Sequence, residues 1–138
     1  MEEIAKKFIL HMRLSKLDNT GILPPILLCE LLIHIGFTNC KLKQGFISIS
    51  GEGHCWHVWI ENNGTVIDIN QDIACHLNEY FRNITFDLTT ETPEKFDKDD
   101  THVHLWELYN ENKTTYWKEQ PMNIKNFRSK IFNKIKWF

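Results

Sequence analysis

Apolar positions along the chain fall into a few well-separated rhythms. Ile4, Phe8, Ile9, Met12 and Leu17 recur at roughly helical spacing, which predicts an amphipathic helix over residues about 3 to 16, broken by Asp18-Asn19-Thr20-Gly21. Pro24 and Pro25 suit the first turn of a second helix, where their missing N–H groups cost little. Ile26 to Ile35 is apolar almost all round, the mark of a buried helix, and Gly36 ends it. Two strands are expected next, Phe37 to Leu42 and Phe46 to Ser50. In the second, Ile47 and Ile49 alternate with serines before a Ser50-Gly51-Glu52-Gly53 turn.

From His54 to Asn70, two strand-like runs flank Asn62-Asn63-Gly64, a strong signal for a tight hairpin. Residues about 71 to 82 are expected to form a short helix, and the acidic run Thr89 to Asp100 an exposed loop. Thr101 to Asn110 and Thr114 to Lys118 read as two further strands. The tail from Ile124 to Phe138 reads as a basic amphipathic helix with Phe127, Ile131, Ile135 and Phe138 on one side. The sum is an α+β domain in which the helix from about Pro24 packs on an antiparallel sheet built around the hairpin.

Composition narrows the class without naming a chemistry. A chain of 138 residues is the size of one domain and can bury a real core, to which 5 Trp and 9 Phe contribute bulk. A net charge of −2 gives no overall attraction to nucleic acid or anionic lipid, so only the basic tail could supply it. Lys125, Arg128, Lys130, Lys134 and Lys136 lie there without an acidic neighbour. A helix laid on the core with a solvated basic face is the favoured account, ahead of membrane or nucleic-acid contact. Charges at Glu2, Glu3, Lys6 and Lys7 interrupt any leader-like run, and no stretch reaches the ~18 apolar residues of a membrane span. A cytoplasmic address is expected, with Cys29, Cys40, Cys55 and Cys75 as reduced thiols.

Candidate chemistry concentrates on the hairpin. A two-residue turn at Asn63-Gly64 sets Asn62 opposite Thr65 and Trp59 opposite Asp68. Trp56, Val58, Ile60, Ile67 and Ile69 then share a core face, while Cys55, His57, Trp59, Glu61, Asp68 and Asn70 share the other. His57 becomes the diagonal neighbour of Asp68, close enough to donate one ring N–H to the carboxylate and keep the other nitrogen as a base. His54 is the competing base, but this register sends it to the opposite face. The same alternation separates His54 from Cys55 and His57, so no metal centre is expected. His102 and His104 read as exposed strand histidines. Trp59, beside the pair, is the candidate substrate contact, and neither metal nor organic cofactor is implied.

His57-Val58-Trp59-Ile60-Glu61, then Gly64, then Val66-Ile67-Asp68, resembles the His-x-Trp-x-Glu … Gly … Asp strand pair of the transglutaminase-like (papain-like) cysteine peptidase superfamily. Ile35-Gly36-Phe37 and Gln44-Gly45-Phe46 look like that superfamily's helix end and strand end, so the resemblance spans roughly residues 20 to 70. It implies a cysteine-dependent amide hydrolase or acyltransferase acting on a peptide or protein, with His57 as base and Asp68 orienting it. It also implies a nucleophilic cysteine opening the buried helix, where the helix N-terminus favours a thiolate. This chain departs there. Thr20-Gly21-Ile22-Leu23-Pro24-Pro25 holds no cysteine, and Cys29 lies more than a turn further in, among leucines. Three readings stand: Cys29 serves as the catalytic thiol, Thr20 substitutes for it, or the scaffold has lost catalysis and binds a peptide or protein partner.

Overall fold

A computed structural model describes residues 1–18, 20–49, 54–71, 86–89 and 105–138. Helix α1 (Glu2–Leu14) carries two acids in its first turn and His11 and Arg13 in its last, each end matched to the helix dipole. It stops earlier than the Asp18–Gly21 segment suggests. Lys16 adopts φ 57, its N–H bonds to the carbonyl of Arg13, and the N–H of Leu17 bonds to the carbonyl of Met12. This is a Schellman-type close, sealed by burial of both Leu17 and Met12. Helix α2 (Leu23–Ile35) follows with its prolines in the first turn, and Gly36 at φ 131 lets the N–H of Phe37 reach back to Leu32.

The sheet runs β3-β2-β1-β4 and is antiparallel throughout the described residues. Its strands are β1 (Cys40–Ile49), β2 (His54–Asn62), β3 (Thr65–Ile67) and β4 (Phe86–Thr89). The two strands expected over 37–50 are one continuous strand. Gly45 does not end it but sits inside the ladder opposite His57. The turn is the expected one: Asn63 and Gly64 take φ 50 and 85, as a two-residue hairpin turn requires, and Asn62 faces Thr65.

After the sheet the expectation of two strands over 101–118 fails for the described residues 105–118, while 101–104 lie outside them. Residues 105–119 form helix α3 (Leu105–Glu119), kinked at Asn112. Its aromatic residues explain this: Tyr109, Tyr116 and Trp117 stand at i, i+7 and i+8, a helical face, and their rings meet edge to face at 4.9–6.4 Å. Helix α4 (Met122–Asn133) starts just after Pro121 and ends short of the expected Phe138; Trp137 instead donates its indole N–H to the carbonyl of Ile131 at 2.8 Å. Residues 69–71 are helical, and the short helix expected over 71–82 otherwise lies outside the described residues. His102, His104, Cys75 and the acidic run over 90–100 lie outside the described residues.

The core joins α1, α2, one sheet face, Tyr109 of α3 and Phe127 and Ile131 of α4 in a single buried cluster. Leu42 and Val58 present that face to α2, as do Cys40 and Ile60. Glu30, one of two polar residues on α2, clamps the helices together. Its carboxylate accepts from the Tyr109 hydroxyl, from the Trp117 indole at 3.3 Å and from the Arg128 guanidinium at 3.2 Å. The guanidinium in turn lies over the rings of Trp117 and Phe132. Burial and the adjacent Glu30 carboxylate push the Tyr109 phenol well above its ordinary range. Among the described residues no helix is long and apolar enough to cross a membrane.

Candidate functional site

Residues alternate across β2, so His57 and Trp59 lie on the face turned away from α2, one step off Val58 and Ile60. The ladder between β2 and β3 ends at Ile60 opposite Ile67, and Asp68 follows directly. His57 reaches across to it: His57 Nε2 stands 2.6 Å from Asp68 Oδ2, with the two side chains only 13% and 7% exposed. The second carboxylate oxygen, Asp68 Oδ1, accepts the backbone N–H of Gln71 at 3.1 Å, which makes Asp68 the N-cap of the helical turn at 69–71. Both oxygens are thus held, one by the ring and one by the backbone. Ile69, pointing the other way, is buried in the core and fixes the chain's direction there.

With Nε2 committed to the carboxylate, Nδ1 is the nitrogen left to act as a base, and it has no hydrogen-bond partner among the described residues. Opposite His57 the facing strand offers only Gly45, so nothing from that position fills the space over the ring. Trp59 stacks near the imidazole with ring centroids 6.3 Å apart. It is itself buried, and its indole N–H is taken by Glu61 at 3.1 Å. It supports the imidazole and offers no open ring for a substrate, which corrects its expected part as a substrate contact. His54 opens β2 opposite Ser48, three positions before His57 along the strand.

The expected nucleophiles are not brought to this pair. Cys29 is fully buried in the cluster that α2 forms on the other sheet face. Burial, with Cys40 and Glu30 nearby adding to it, pushes its thiol up to about 12. The hydroxyl of Thr20 is turned back onto the carbonyl of Leu17 at 2.5 Å. The segment that would carry a helix-opening thiol does approach the site, since Asn70 donates its side-chain N–H to the carbonyl of Gly21 at 3.3 Å. Cys55 is the thiol that sequence reasoning passed over. It is exposed, two positions before His57 on the same strand, and so on the same face. Its position was legible in the alternation that placed His57, but partial burial raises its thiol rather than lowering it. Among the described residues no three His, Cys, Asp or Glu come together as metal ligands.

A groove of about 910 Å³ runs beside the pair, between α1 and the hairpin's outer strand β3, with Asp68 and Gln71 at its border. No protein-family model, curated protein or solved structure matches this chain.

Proposed function

We propose that this chain is a peptide- or protein-binding module on a transglutaminase-like scaffold whose His57–Asp68 pair persists as an orienting and capping element. The observation that carries the reading is the separation of Cys29 from His57. The thiol lies in the core on the α2 side of the sheet with a pKa near 12, the base lies on the opposite face, and a thiol in that state supplies almost no thiolate at neutral pH. What remains beside the pair is a groove of peptide-binding size.

A second reading has its own observation. Exposed Cys55 shares the His57 face, so an amide hydrolase or acyltransferase built on Cys55, His57 and Asp68 is the enzyme these residues would allow.

Iodoacetamide labelling at neutral pH, followed by peptide mapping, separates the two. The binding module is expected to label Cys55 at the rate of an ordinary exposed thiol and Cys29 only on unfolding, with an unchanged pattern in His57→Ala. Fast labelling of any cysteine that vanishes in His57→Ala would replace the module with a thiol enzyme.

A further inference from the structure

The hairpin ends the sheet on an open edge, because β3 has β2 on one side and no strand on the other among the described residues. Antiparallel pairs alternate between residues that exchange both backbone hydrogen bonds and residues that exchange neither. With the two-residue turn closed by Asn62 and Thr65, the next pair, Glu61 and Val66, is of the second kind. The N–H and C=O of Val66 therefore point away from β2, and no partner takes either among the described residues. They open into the groove between β3 and α1.

The groove's walls are unfinished in two further respects. Leu10 of α1 and Val66 of β3 both line it and are 56% and 47% exposed, so apolar surface on each bank lacks cover. Arg13 lines it too, and its Nε is buried with no hydrogen-bond partner among the described residues. Lys6, the other basic side chain along the groove, is held by Glu2 at 3.5 Å, whereas Arg13 enters no ion pair among the described residues. Asp68, the nearest acid on the β3 bank, has its oxygens committed to His57 and Gln71. A buried donor on a cation without an acceptor is costly, and an incoming carboxylate would relieve it.

We infer that the groove binds an extended, acidic segment of a partner protein, which adds to the open edge of β3 through the backbone of Val66 and places a carboxylate on Arg13. The inference rests on the module reading above and names its site and ligand. An added strand would satisfy the Val66 backbone, apolar side chains on one of its faces would cover Leu10 and Val66, and a Glu or Asp would answer the guanidinium. Edge addition of this kind takes its affinity from main-chain bonds and its selectivity from such side-chain contacts.

The test is an NMR titration of the full chain with acetyl-Thr-Val-Val-Glu-Val-Thr-amide and with the same peptide carrying Lys in place of Glu. The acidic peptide is expected to shift the amides of Thr65, Val66 and Ile67 and the Lys peptide to bind about tenfold or more weakly, as loss of one charge-assisted pair implies. Arg13→Glu should reverse that preference. Val66→Pro, which removes an N–H that serves no bond within the hairpin, should abolish the shifts while leaving the rest of the spectrum in place. Should Val66→Pro disturb the hairpin itself, the preference reversal in Arg13→Glu still decides. Equal binding of the two peptides, no binding, or shifts confined to the His57 face would overturn the inference. Self-association abolished by Val66→Pro would do the same, by making a second copy the occupant. Shifts at the His57 face, or silence of both peptides, would leave the module reading to be judged by cysteine labelling alone.

Discussion

Asp68 shows at residue scale how one side chain serves two structures. Its Oδ2 fixes the His57 ring, and its Oδ1 caps the turn at 69–71 through the N–H of Gln71. The two services respond differently to substitution. An asparagine still offers an oxygen to Gln71 but loses the charge-assisted bond to the imidazole, whereas an alanine removes both and leaves a largely buried ring nitrogen without a partner. Urea unfolding should therefore rank the variants, with Asp68→Ala losing about 2 kcal/mol and Asp68→Asn about half of that. Equal losses would show that the bond to the ring, not the cap, gives Asp68 its value. His57 and Asp68 were both legible as residues because the strand period and the turn fixed their diagonal relation. The second bond to Gln71 was not, since it depends on the chain turning helical immediately after Asp68.

At element scale the hairpin is set by its turn. Gly64 holds φ 85, and a Cβ built there would meet nothing within 4 Å, so the cost of a side chain is one of backbone conformation alone. Gly64→Ala should lower stability by about 1 kcal/mol in urea unfolding. Because the register depends on this turn, it should also weaken protection of the Ile60 and Ile67 amides against hydrogen exchange. Unchanged protection would mean that the ladder to β1 alone holds the register. Helix α3 is the element the sequence misassigned. Thr101 to Asn110 has a short alternating pattern, but what selects a helix is lateral packing: Tyr109 and Trp117, two turns apart, converge on Glu30 of α2. The i, i+7, i+8 spacing of Tyr109, Tyr116 and Trp117 was the local signal for a helix, but that these rings meet Glu30 is a fact of tertiary contact.

The whole molecule is closed by its C-terminal part. The basic tail forms α4, which buries Phe127 and Ile131 in the common core and sets Phe132 edge to face against His34 of α2, with ring centroids 5.1 Å apart. Beyond it, Trp137 meets His11 of α1, and the carbonyl of Lys136 accepts from Lys7. Ile131→Ala should cost about 2–5 kcal/mol, the usual range for emptying a fully buried aliphatic site, and lower the melting temperature accordingly. Deletion of residues 134–138, beyond the helix, should cost less. The reverse order would mean that the Trp137 contacts rather than α4 complete the core.

The sequence by itself determined what depends on local period and turn chemistry: the two amphipathic or apolar helices at the start, the hairpin with its register, and the meeting of His57 with Asp68. It also placed Cys29 too deep in α2 for easy reaction, since a cysteine among leucines more than a turn inside an apolar helix has no route to solvent. Only the tertiary structure decided which face of the sheet α2 would cover. That choice puts Cys29 and His57 on opposite sides of β2 and, among the described residues, leaves the β3 edge beside α1 without a further strand. The physical reason is that strand alternation sorts side chains into two sets, while burial of the larger continuous apolar surface, summed over α1, α2, α3 and α4 together, selects the set that turns inward.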